Sequence, residues 1–170
     1  GNSLASASVK VPVLYPHEGW AEQDMDEVWN GVASCIKKLT TMPGISTGDF
    51  VAMSCAGQGD GLWAVNSGGR PAGKAILWCD NRASANIAKW VAAGVPERFF
   101  ENSGITLWPG CAAAILDWLK DNDVEYFRSI ETFFCCKDWI NFNLTGRKAT
   151  DISDGTIPFM DVNKNEISLS

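Results

Sequence analysis

A single histidine, His17, occurs in the 170 residues, and it lies in a Pro-rich turn with no catalytic partner nearby in sequence. A surface role is expected of it rather than general-base work. No stretch approaches 18 consecutive apolar residues, and residues 1–8 contain neither a basic n-region nor a long apolar h-region. A membrane partner and a secretory leader are therefore not expected. Blocks of Lys and Arg are missing too: 20% of residues are charged and the formal net charge is -6. Such an acidic, mixed surface has no means of neutralising a phosphate backbone, which argues against nucleic acid as a partner.

The six cysteines, at positions 35, 55, 79, 111, 135 and 136, have neither CxxC nor Cys/His ligand spacing. No metal site is expected from them, and their apolar or small-residue settings point to buried, reduced thiols in a cytoplasmic protein. Asn143-Leu144-Thr145 fits the N-glycosylation pattern, but without a leader the pattern has no chemistry to act on.

The chain is rich in core material. Apolar residues make up 46%, with eight Trp and eight Phe, enough for one folded, soluble domain. Ala5, Ala7, Val9 and Val11 alternate with polar residues, so the spacing predicts a strand at the outset. Gly1-Asn2 directly before it reads as a hairpin turn, implying an earlier strand upstream. Asp24 is placed to cap a helix reaching about Thr41, with Glu27 in capping-box position and Met25, Val28, Trp29, Val32, Ile36 and Leu39 on one face. Short apolar runs at 50–55, 62–65 and 75–79 predict three strands, the first two joined by a glycine loop.

Helical spacing then takes over at 84–93 and 111–120, with shorter helices around 96–101 and 124–130. A strand at 132–136 and a helix at 137–144 that stops at Gly146 complete the pattern. This order predicts an α/β fold, a mixed β-sheet with helices packed against it.

Three segments carry candidate chemistry. Gly57-Gln58-Gly59-Asp60-Gly61 allows close backbone approach to a ligand and offers an amide and a carboxylate to hydroxyl groups; it can equally be a glycine hairpin with polar tips. A nucleotide loop should open a helix, whereas this one opens an apparent strand. Trp78-Cys79-Asp80-Asn81-Arg82 ends a strand: Trp78 can cover the apolar face of a sugar while Asp80 binds its hydroxyls, or Asp80 can cap the next helix and pair with Arg82. Trp108 can cover a ligand or fill the core, and for a tryptophan the core is the commoner place. Asp151 and Asp154 read as turn and cap residues, since no metal-ligand company surrounds them.

Taken in order, these segments resemble the N-terminal domain of the FGGY carbohydrate kinases, within the actin-like ATPase (ribonuclease H-like) superfamily. The resemblance runs from the opening turn and strand through Gly19-Trp20-Ala21-Glu22-Gln23-Asp24, the glycine loop, Gly69-Arg70-Pro71 and Ala75-Ile76-Leu77-Trp78 with Asp80 and Arg82. It ends with Lys137-Asp138, Leu144-Thr145-Gly146 and Thr150-Asp151. It implies sugar contacts by Gln58, Gly59, Asp60, Trp78, Asp80 and Trp108. Gly59 and Asp60 match the two variable contact positions, filled by Arg-Glu in glycerol kinases and Met-His in D-xylulose kinases. The phrasing Gly19-Trp20-Ala21-Glu22 and Leu107-Trp108 is similar to the L-xylulose kinase branch.

By the same resemblance, residues 1–170 form an incomplete sugar-binding domain, truncated at both ends. The Asp-x-Gly-Thr phosphate loop, the proton-accepting aspartate and the nucleotide domain lie elsewhere in a longer chain. No catalytic residue is expected in this segment, which alone should be inactive. ATP and Mg would serve the full-length parent in phosphorylating a terminal hydroxyl of an L-xylulose-like ketopentose, with glycerol or gluconate as alternative substrates. The rest of the kinase chain is the implied partner, and a homodimer is left open. A rival reading is a non-catalytic sugar-binding or assembly module with the same fold. A third, a nicotinamide-dependent oxidoreductase, would need a strand-loop-helix at 57–61.

Overall fold

The computed structural model describes residues 1–151, 154, 160–164 and 166–167. A short antiparallel ladder joins β1 (Glu22–Gln23) to β3 (Ala75–Ile76), and a second joins β2 (Trp63–Val65) to β4 (Thr132–Phe134). A single bridge from Leu62 to Ile76 ties the two ladders together, and another from Leu14 to Glu22 adds a contact on the other side of β1. A separate hairpin pairs β5 (Met160–Asp161) with β6 (Glu166–Ile167).

The middle of this sheet is buried on both faces, and the alternation of side chains assigns each face its own core. Trp63 and Val65 point toward Met25 of α1 (Met25–Thr40) and Trp139 and Ile140 of α6 (Cys136–Thr145). Leu62 and Ala64 point the other way, toward Ile115 and Leu119 of α4 (Ala112–Asn122), with Tyr126 and Phe127 of α5 (Val124–Ser129) beside them. A third cluster around Ala83, Leu107, Cys111 and Ala114 holds α2 (Ser84–Ala92) and α3 (Val95–Ser103) against α4. Burying a side chain such as Ile115 or Leu119 contributes about 1.5–3 kcal/mol. The Trp139 indole N–H, which burial would otherwise leave costly, donates to the Met25 carbonyl at 2.9 Å. The expected α/β arrangement of helices packed on a sheet is therefore present.

Local signals place the helices. Asp24 caps α1 by accepting from the Asp26 and Glu27 backbone N–H groups, while its other oxygen binds Lys74 Nζ at 3.1 Å instead of relying on a return contact from Glu27. The helix expected at 137–144 begins one residue earlier, where Asp138 accepts from the Cys135 N–H, and ends at Gly146 as expected.

Two expected strands form no ladder among the described residues. In the 5–11 segment Ala5, Ala7 and Val11 are half-buried, but Val9 is exposed although it and Val11 lie against Gly31 of α1, and the segment gains no backbone partner. The 50–55 segment is likewise unpaired, with Val51 wholly exposed and Phe50 and Met53 about half exposed. Apolar alternation reports a side-chain pattern, whereas a ladder also needs a neighbouring backbone. The third expected strand is shortened to Ala75–Ile76, which leaves Trp78 in the turn that follows. Among the described residues no helix is long and apolar enough to cross a membrane.

Candidate functional site

The 57–61 loop leads into β2 and not into a helix, so it lacks the geometry of a helix-opening phosphate loop. It follows an unpaired segment, which corrects the expectation that it joins two paired strands. Gly61 adopts φ +73° while its N–H donates to the Gly110 carbonyl at 3.1 Å and the next residue's N–H donates to the Ile76 carbonyl at 2.7 Å. Gly110 in turn packs so closely on Trp78 that a Cβ there would overlap the Trp78 carbonyl. Three distant segments, the 57–61 loop, the Trp78 turn and the Trp108–Gly110 turn, are thereby brought to one place.

Within this place the side chains differ in what they leave available. Trp78 is 53% exposed, an indole free to cover a ligand. Trp108 is half-buried and packs on the cluster around Leu107 and Cys111, the core position expected of most tryptophans. Gln58 donates its amide to the Gln23 side chain at 2.9 Å, which ties the loop to β1. Gly59 has room around it, with the Asp154 carboxylate 3.6 Å from where a Cβ would stand.

Asp60 is the unusual member. It holds φ +56°, a left-handed conformation that Asp tolerates better than most residues, and its Oδ1 is shielded from solvent with no hydrogen-bond partner. Burial, reinforced by the like charge of Asp154, pushes its carboxyl up to about 6.

Asp80 sits differently. It is 1% exposed, and its two oxygens accept from the Ala21 N–H at 2.6 Å, the Arg82 N–H at 2.8 Å and the Arg82 guanidinium at 2.9 Å. Arg82 also reaches Glu22 at 2.7 Å and stacks 3.8 Å from the Trp20 ring centroid. These bonds realise the pairing of Asp80 with Arg82; the cap of α2 is Ala83, without a side-chain bond. Asp80 thus joins the turn after Trp78 to Ala21 and, through Arg82, to β1. His17 lies exposed against the edge of Trp20, its ring centroid 4.5 Å away.

Sequence spacing did not reveal the charge cluster under the loop. Lys137, nearly buried at the start of α6, has its ammonium 2.7 Å from Asp138, 2.9 Å from Asp154 and 3.1 Å from Asp151. Thr150 donates to Asp138 at 3.0 Å. Burial acts to lower the Lys137 pKa, but the three carboxylates outweigh it and hold the group above its ordinary value. Asp151 and Asp154 are therefore ion-pair partners as well as turn residues. The only hint in the sequence was the proximity of Lys137-Asp138 to an Asp-x-x-Asp pair further on.

Cys135, Asp138 and Asp154 present ligand atoms within 4.8 Å of one another. The Lys137 ammonium already supplies positive charge to both carboxylates, and burial followed by the charges of Asp154 and Asp138 pushes the Cys135 thiol up to about 12. That donor set does not favour a metal ion over the lysine. All six cysteines are free thiols.

Comparison with known proteins gives the arrangement its relatives. Residues 1–168 match the model of the FGGY family of carbohydrate kinases, N-terminal domain. The L-xylulose/3-keto-L-gulonate kinase of Escherichia coli is 34% identical over 141 residues, covering 83% of this chain and 28% of that protein. A probable L-xylulose kinase of Haemophilus influenzae is 30% identical over 173 residues, covering 100% of this chain and 36% of its own length. In three dimensions, a ligand-bound xylulose kinase from Lactobacillus acidophilus superposes with a TM-score of 0.88 at 23% identity, over 98% of this chain and 34% of that one. The chain thus spans only 28% and 36% of the length of these two curated relatives. With its N-terminal-domain match running almost end to end, the chain belongs to the FGGY family of carbohydrate kinases.

Proposed function

We propose that these residues form the sugar-binding part of an ATP-dependent kinase that phosphorylates a terminal hydroxyl of an L-xylulose-like ketopentose. The observation that carries this reading is that the 57–61 loop, with its unpartnered Asp60 oxygen, packs on the backbone of the turn that presents exposed Trp78. A polyol needs a carboxylate or amide acceptor for its hydroxyls and a flat apolar surface for its C–H face. Asp60 supplies the first and Trp78 the second. Gln58 holds the loop to β1, Gly59 keeps space at the contact position, Trp108 backs the site from the core, and Asp80 fixes the turn after Trp78.

Ionised, Asp60 accepts from two hydroxyls; protonated, it loses one acceptor site. Its elevated pKa places that change near pH 6. ATP and Mg belong to the parent kinase, where they supply the phosphoryl group and neutralise its charge. No described residue is assigned to them, and the 170-residue sequence contains no Asp-x-Gly-Thr loop.

Names among the relatives support a sugar or polyol acceptor: L-xylulose, 3-keto-L-gulonate and erythritol kinases all match. The test is a panel of pentuloses, glycerol, erythritol and gluconate assayed with ATP and Mg on the full-length parent protein. The expected result is the highest kcat/KM for a ketopentose. A clear preference for glycerol or gluconate would overturn the substrate assignment, and no turnover with any of them would favour the non-catalytic module.

A further inference from the structure

We propose that Lys137 is a positioning residue for sugar binding, acting through the Asp154 carboxylate to set the shape of the 57–61 loop and the charge state of Asp60. The proposal rests on the reading of that loop as the sugar site.

Geometry ties the two together. The loop lies on the N-terminal turn of α6 so closely that a Cβ at Gly57 would stand 2.9 Å from the Lys137 backbone nitrogen and 3.1 Å from Cys136 Cβ. Two residues on, Gly59 faces Asp154, and Asp154 is the carboxylate that Lys137 grips at 2.9 Å. The loop is thus held between the backbone of Lys137 and the carboxylate that its ammonium positions.

Electrostatics adds the second half. The titratable group that raises Asp60 is Asp154, from the segment after α6; Cys135 at the start of α6 and Cys111 at the start of α4 also face it and feel its charge, and Asp138 and Lys137 complete the cluster beneath. Both cysteines are held as thiols by burial, so Asp154 is the negative neighbour and Lys137 the cation beside it. A lone ammonium among three carboxylates limits the repulsion that Asp60 meets on ionising. Removing Lys137 leaves that repulsion uncompensated and favours the protonated, weaker-accepting form. Neutralising Asp154 does the reverse.

The two substitutions therefore move the same property in opposite directions. Ketopentose binding to the 170-residue chain, titrated from pH 4.5 to 8.5, is expected to strengthen through a midpoint near pH 6. Asp154→Asn should move this midpoint down and Lys137→Met should move it up, each by about one pH unit, while Lys137→Arg restores the original profile. On the acid side of the midpoint a one-unit move is about a tenfold change in affinity.

A merely structural role for Lys137 would weaken binding equally at every pH. The same midpoints are read without sugar from the Asp60 side-chain carboxyl carbon by NMR, assigned with Asp60→Asn. If the NMR midpoints move as stated but no sugar binds, the loop reading fails and the coupling stands. If Lys137→Met does not fold, Asp154→Asn decides alone. An unmoved Asp60 midpoint in the folded variants overturns the proposal.

Discussion

Replacing Gly61 by alanine places a methyl group 2.6 Å from the Ile76 carbonyl oxygen on a backbone held at φ +73°. Two costs act together. A left-handed conformation costs a residue with a Cβ about 1–2 kcal/mol, and forcing a methyl into a filled space costs about 1–3 kcal/mol more. The ladder contact from Leu62 N–H to the Ile76 carbonyl, at 2.7 Å, stands in the way of relaxation.

Gly44 separates the two terms, because it has φ +82° but nothing within 4 Å of its missing Cβ. Gly59 supplies the control, with only an ordinary 3.6 Å contact. Taking about 3 kcal/mol for Gly61→Ala and about 2–4 °C per kcal/mol at this chain length, the expected loss in Tm is about 6–12 °C. At about 1.5 kcal/mol, Gly44→Ala should lose about 3–6 °C by the same conversion, and Gly59→Ala almost nothing. Thermal unfolding followed by far-UV circular dichroism reads all three. A Gly61→Ala midpoint equal to that of Gly44→Ala would refute the close approach of this loop to the Ile76–Trp78 backbone.

Three further outcomes follow from the site. Because the Asp60 pKa is raised from 3.8 to about 6 in the fold, its contribution to stability is fully present below pH 3.8 and is lost as pH rises through 6. Asp60→Asn should therefore raise Tm relative to the native chain at pH 8, whereas lowering pH to 4 should remove that advantage. Arg82→Leu leaves Asp80 buried without its cation, and should cost about 3 kcal/mol or more in urea unfolding; a midpoint equal to the native chain's would show Asp80 to be satisfied by Ala21 alone. The isolated 170-residue chain, given ATP, Mg and a pentulose panel, should release no ADP beyond a protein-free control, and sugar-stimulated turnover of about 1–100 per second would show a misplaced active site.

Local signals were legible in the sequence where the deciding chemistry is local. The Asp24 cap, Gly146 after α6 and the 3.6-residue apolar spacing located the helices to within a few residues. The strand at 132–134 was legible for a related reason: a short apolar run buried against the sheet has few alternatives. The 5–11 and 50–55 segments have the side-chain pattern of strands, but pairing depends on a second backbone that a one-dimensional pattern does not reveal.

The site was legible in the same measure. The glycine loop, Trp78 and Trp108 were marked by composition, and the fold brings their segments together through Gly61, Gly110 and Trp78. The pairing of Asp80 with Arg82 was visible two residues apart. Their reach to Ala21 and Glu22, about sixty residues away, was not. Lys137-Asp138 was marked as part of the resemblance, but the ion-pair role of Lys137 was not legible, because its partners lie 1, 14 and 17 residues along, a spacing with no helical or strand period to mark it.

The central claim is that Asp60, on the 57–61 loop, binds substrate hydroxyls, and its most direct test is sugar kinetics of the full-length parent carrying Asp60→Ala. Loss of a charge-assisted contact worth about 1.5–3 kcal/mol predicts a fall in kcat/KM for the ketopentose of roughly ten- to hundredfold. The KM for ATP should stay where it was, since no nucleotide group is assigned to this loop. An unchanged kcat/KM for sugar would contradict the account and return Asp60 to the class of turn residues.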